Sequence, residues 1–141
     1  MANEEPAAED QANRTQSLTT RNVARRIRAL RNRRGWSAQK VSDLCGELGT
    51  PIERSVLSGL ESGKRTKLAV DELMVFAAVF EVEPAYLLTA PGSRALPIAM
   101  ELVALLERLA GSDGTDPEAV RQVQNQYRLL GVELDEVEDN L

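Results

Sequence analysis

Apolar residues recur at spacings of three and four along most of this chain, in short runs broken by glycine or proline. Val23, Ile27 and Leu30 make one such run, Val41, Leu44, Cys45 and Leu48 the next, and Ile98, Leu102, Leu105 and Leu109 a later one. A repeat near 3.6 gathers these side chains on one face of a helix, whereas a half-buried strand needs strict alternation. No stretch offers a compelling strand, so the expected fold class is all-α. The 141 residues suit one compact domain plus an extension. Its core must be aliphatic, because the chain holds one Trp, two Tyr and two Phe.

Punctuation then sets the elements. Residues 1–17 are rich in Ala, Glu, Asn and Gln without apolar periodicity, and read as a disordered acidic arm. A first helix is expected from Thr20, as N-cap, to about Arg34, with Gly35 as its stop. Ser37 caps a second helix that Gly49 ends. A third runs from about Glu53 to Glu61 and stops at Gly63. The stretch "LAVDELMVFAAVF" is a fourth, apolar almost all round and therefore central to the core. Pro84 opens a short fifth, "PAYLL". Two more helices follow the linker "APGSRALP": one over about 97–110, and one begun by Asp116 and Pro117. The last carries Val120, Val123, Tyr127 and Leu130, a spacing that continues through Leu134, Val137 and Leu141. The expected division is an arm over 1–17, a domain over 18–90, a linker over 91–96 and a helical region over 97–141.

Composition removes several function classes. No apolar run approaches the roughly 20 residues of a membrane span, and the N-terminus lacks the pattern of a signal peptide. A single cysteine, Cys45, excludes an internal disulfide and fits a reducing, cytoplasmic setting. Lying on an apolar stripe, it reads as a small hydrophobe rather than a redox sensor. With no histidine, the usual zinc and haem ligands and the Ser–His–Asp and Cys–His nucleophile arrangements are missing. No catalytic residue, metal site or cofactor is expected, and the chain does not read as an enzyme.

The net charge of −5 conceals a sharp partition. Residues 1–13 carry four acids and no base; residues 14–67 carry thirteen Lys/Arg against four acids; residues 68–141 carry four arginines against fourteen acids. A basic block between two acidic flanks is the asymmetry of a polyanion-binding face.

The basic block also holds two consecutive short helices joined by a tight turn, the parts of a helix-turn-helix reader. The stretch "RIRALRNRRGWSAQKVSDLC…IERSVLSGLESGKR…VDELMVFAAVFEVEPAYLL" resembles the Cro/repressor-type (XRE-type) helix-turn-helix domain over about residues 21–90. The landmarks are the Arg31…Gly35 spacing, the Ser37-x-Gln39 opening of helix two, the Leu60-Glu61-x-Gly63-Lys64 exit from helix three, and the "ELMVFAAVFEVEPAYLL" helix pair. From Gln39 to Glu61 the chain is about four residues longer than the compact phage repressors, around "CGELGTPI", and so is most similar to long-turn actinobacterial members. The resemblance implies a five-helix DNA-binding domain, a transcriptional regulator of bacterial type, repressor or activator, and a location at the nucleoid.

The start of helix three must then reach base edges and phosphates. Arg54 has the planar fork that reads guanine O6 and N7, with a phosphate contact as the alternative. Ser55 and Ser58 are short enough to approach the duplex closely. Glu53 either accepts from a cytosine amino group or only favours the helix N-terminus. Beyond Gly63, Lys64, Arg65 and Lys67 are placed to meet phosphates. Ser37 and Gln39 stand at the N-terminus of helix two, where free N–H groups attract an anion, and for Gln39 the resemblance implies a contact near the recognition helix. It also implies that Arg31 and Glu61 pair as a scaffold that ties helix one to the end of helix three. Leu57, Leu60, Trp36, Val41 and Leu44 read as core, and the arginines of helix one point around its whole circumference.

The C-terminal seams formed by Ile98, Leu102, Leu105 and Leu109, and by Val120, Val123, Tyr127 and Leu130, suit dimerisation, with folding back onto the chain's own domain as the alternative. The expected partners are double-stranded DNA and a second copy of the chain. A different class of function also fits: an antitoxin-like protein-binding module, whose C-terminal helices neutralise a partner while the N-terminal domain autoregulates.

Overall fold

The computed structural model describes residues 16–139. The expected acidic arm up to residue 15, and Leu141, lie outside them. Among the described residues there are seven helices and no strand: α1 (Leu18–Arg33), α2 (Ala38–Glu47), α3 (Arg54–Ser62), α4 (Val70–Phe80), α5 (Pro84–Leu87), α6 (Ala95–Ala110) and α7 (Pro117–Asp139). No helix among them is long and apolar enough to cross a membrane. The chain divides between Thr89 and Ala90 into two compact units.

The first unit closes around one apolar centre. Val23, Ile27 and Leu30 of α1, Val41 and Cys45 of α2, Leu57 and Leu60 of α3, Phe76 and Phe80 of α4 and Leu87 of α5 are each at most 1 % exposed. Ile52, in the connection between α2 and α3, is buried with them, and Ser42 Oγ donates to its carbonyl at 2.5 Å. Burial pushes the Cys45 thiol up to about 11, so it stays protonated and unreactive at neutral pH. Leu48, expected on the same stripe, is instead 54 % exposed, because α2 ends at Glu47 and the stripe ends with it. Trp36 and Leu44 are only half-buried: with Leu48 and Val79 they line an open groove between α2 and α4. Trp36 stacks on Phe80 at 5.8 Å, with the Arg34 guanidinium 4.7 Å over its ring.

The first helix starts three residues earlier than expected. Ser17, not Thr20, is the N-cap, and its hydroxyl accepts from the Thr20 N–H at 3.1 Å. Gln16 is likewise part of the fold, being 8 % exposed. Among the arginines of α1, Arg26 points straight inward and is 0 % exposed. Its guanidinium lies 4.2 Å over the Tyr86 ring and donates to Tyr86 Oη, Thr89 O and Thr89 Oγ1 at 2.7–3.1 Å.

The second unit is a pair of helices. Gly92, just before α6, lies against Val137 near the end of α7, so the two run antiparallel. The left-handed Gly92 (φ +85°) makes that approach: a β-carbon there would sit 3.4 Å from Val137 Cγ2. Helix α6 begins at Ala95, inside the expected linker, and takes Pro97 into its first turn, where the missing N–H has no helical acceptor to lose. Ile98, Leu102 and Leu105 are buried, as are Leu129, Val132 and Glu133 of α7. Three of the four residues of the expected α6 dimer seam are therefore already buried, and the fourth, Leu109, is half-buried. On α7 the buried stripe is a different one from that expected: Val120, Val123 and Leu130 are half-buried and Tyr127 is 66 % exposed.

Candidate nucleic-acid interface

Helix α3 buries one side and shows the other. Leu57 and Leu60 enter the core, while Arg54, Ser55 and Ser58 are exposed at and after its first turn. Arg54 makes no hydrogen bond or ion pair to the other described residues, which leaves its five N–H donors available. Ser55 Oγ lies 3.4 Å from Glu53 Oε2. Glu53 is the N-cap residue of α3, but its carboxylate accepts no capping hydrogen bond from the helix.

Helix α2 stops at Glu47, and residues 48–53 connect it to α3. At the start of α2 the Ser37 hydroxyl accepts from the Lys40 N–H at 3.1 Å, as a cap does. Gln39 is exposed one turn from Asp43 and donates to its Oδ1 at 2.8 Å, so a contact from Gln39 to DNA would exchange that bond for another.

The mounting of α3 is a set of charged and polar ties. Arg31 Nη2 and Glu61 Oε1 are 2.8 Å apart, Arg31 Nε also donates to Oε1 at 3.3 Å, and Arg31 Nη1 donates to Trp36 O at 3.0 Å. One guanidinium thus joins α1, the entry to α2 and the last turn of α3. Gly63 ends α3 in the left-handed region (φ +83°), which a β-carbon would strain, and sends the chain into residues 64–69.

That loop splits the basic residues expected to meet phosphates. Lys64 and Lys67 are exposed. Arg65 is half-buried, with Nη1 2.6 Å from Glu72 Oε2. Burial alone would raise the Glu72 carboxyl, but the Arg65 hydrogen bond, the Ala69 N–H (2.8 Å) and the Arg65 charge together hold it below its ordinary value. Arg65 therefore serves the loop first. Sequence reasoning missed Glu72; the signal that could have found it is its place three residues into the helix, from which a carboxylate can reach back to the N–H at the helix start. Gln16 gave no such signal. Its Nε2 donates to Leu60 O at 2.9 Å and to Arg65 O at 2.8 Å, contacts that span more than forty residues.

A family model described as helix-turn-helix matches residues 27–87. No curated protein and no solved structure matches the chain. The matched span runs from the middle of α1 to the end of α5, and so takes in the exposed face of α3, its ion-pair mounting and the exit loop. Residues 27–87 are a helix-turn-helix domain of the Cro/repressor (XRE) type, and the chain that carries it is a DNA-binding regulator of transcription.

Proposed function

We propose that this chain is a sequence-specific regulator that binds an inverted-repeat operator in double-stranded DNA as a homodimer, with α3 in the major groove. The single observation that carries the reading is the exposed Arg54–Ser55–Ser58 face of a helix whose opposite side is fully buried. Such a helix can be inserted into a groove without disturbing its core. Arg54 reads a guanine edge, Ser55 and Ser58 approach the bases or phosphates, and Ser37, Gln39, Lys64, Lys67 and the remaining reach of Arg65 bind the backbone. The second copy supplies the second half-site. Apolar residues left exposed on α6 and α7, among them Leu96, Met100, Val103, Tyr127 and Leu134, support an association through the C-terminal unit. The same surface suits the antitoxin-like reading, in which it meets a different protein. A cytoplasmic, nucleoid-bound location follows from the DNA partner.

The test is genome-wide recovery of bound DNA, with an Arg54→Ala, Lys64→Ala double variant as control. A few strong sites containing an inverted repeat, lost in the variant, are the expected result. Weak, even recovery that ignores both substitutions would remove α3 as the reader and turn attention to a protein partner of the C-terminal unit.

A further inference from the structure

The exit loop of α3 is held from three sides, and one of the holds comes from outside the matched helix-turn-helix span. Residues 64–69 have no regular structure of their own, yet they carry Lys64 and Lys67. A loop that must be ordered when it binds gives up entropy, and that cost comes off the affinity. Here the ordering is built in. The Arg65 N–H donates to Gly59 O at 2.9 Å, and the Arg65 guanidinium is fixed by Glu72. The third hold is Gln16, which precedes the matched residues 27–87 and even α1. Leu60 O is one of the last four carbonyls of α3, which find no donor further along the helix. It receives only a long bond from the Gly63 N–H, at 3.3 Å, besides the one from Gln16.

We infer that Gln16 is a positioning residue for DNA binding: its side-chain amide clamps the exit loop to the end of α3, so that Lys64 and Lys67 meet phosphates from a loop already in place. The inference rests on the DNA-binding reading above. The chemistry suits an amide, whose single nitrogen carries two N–H donors, one for each carbonyl. A glutamate of the same shape has no donor at neutral pH and would set its charge against two carbonyl oxygens. Methionine keeps the length and the burial but makes neither bond.

Full-length wild type, Gln16→Met and Gln16→Glu are titrated with a mixed-sequence DNA duplex across a salt series, well below their melting temperatures. Amide hydrogen exchange is followed in parallel. With about six phosphates neutralised, the wild-type slope of log K against log salt should lie near −5. Gln16→Met is expected to bind about 3- to 10-fold more weakly, the fold-change for one or two neutral hydrogen bonds, and Gln16→Glu more weakly still. Both slopes should be shallower by about one to two, one phosphate contact for each lysine displaced. Exchange should quicken at residues 64–67 while Phe76 and Phe80 stay as protected as before. Variants that melt earlier yet keep the wild-type affinity, slope and loop protection would show Gln16 to be a fold staple only, and would overturn the inference. If wild type itself shows no salt-dependent binding, the DNA-binding reading fails, and Gln16 has nothing to position.

Discussion

A guanidinium taken fully out of water costs several kcal/mol unless its donors are matched. Arg26 meets that demand with the Tyr86 hydroxyl and both oxygens of Thr89, and with the Tyr86 ring beneath it. It thereby fixes the end of the first unit to α1. Arg26→Met should cost about 2–3 kcal/mol of stability, because charged hydrogen bonds are lost and the buried Tyr86 Oη and part-buried Thr89 O lose this donor; a denaturant titration that leaves the midpoint unmoved would refute it. Arg34 follows the same habit, donating to Phe80 O at 3.0 Å while lying over Trp36. Helical spacing only spread the arginines of α1 around its whole circumference. It could not distinguish them, since burial of a cation depends on acceptors that arrive some sixty residues later in the chain.

At the scale of elements, the loop after α3 depends on Arg65 and Glu72, and its stability should depend on pH. The folded pKa of Glu72 is lowered, so its contribution is complete above the ordinary glutamate value and is lost as pH falls through the lower folded one. Stability should decline over that acidic window, and Glu72→Gln should flatten this part of the profile while lowering the plateau near neutral pH. Equal slopes in the two proteins would exclude the pair as a source of acid sensitivity. The helices themselves were largely legible: spacing gave their faces, and glycine, serine and proline marked most of their ends to within about two residues, the start of α1 being the exception at three. The Arg31–Glu61 approach, at 2.8 Å, joins two residues that only the resemblance brought together. Gln16 was illegible because a polar residue in a polar segment carries no periodicity. The C-terminal pair misled for another reason. Helix α6 is apolar on two faces, one with Ile98, Leu102 and Leu105 and one with Leu96, Met100 and Val103, and spacing cannot say which face meets which neighbour.

For the whole molecule, that doubled face bears on copy number. Leu96 is 70 % exposed, Met100 64 % and Tyr127 66 %, a concentration of apolar surface that a two-helix unit does not cover by itself. Two such pairs can bury it as a four-helix arrangement. A Met100→Glu, Leu134→Glu variant is therefore expected to run as a monomer in light scattering and to bind a two-half-site operator at least about 10-fold more weakly, while binding a half-site as wild type does; unchanged mass would reassign the surface to another partner. The charge partition keeps the roles apart, since the acids of residues 68–141 are repelled by the polyanion that residues 14–67 attract. One property of the reader's mounting bears on how such a protein can change over generations. Gln16 grips α3 and its loop only by main-chain carbonyls, and Arg31 takes another at Trp36. Those grips are blind to the side chains displayed at Arg54, Ser55 and Ser58. On the DNA-binding reading proposed above, the vocabulary that α3 displays can drift toward a new operator while the hand that holds it stays the same.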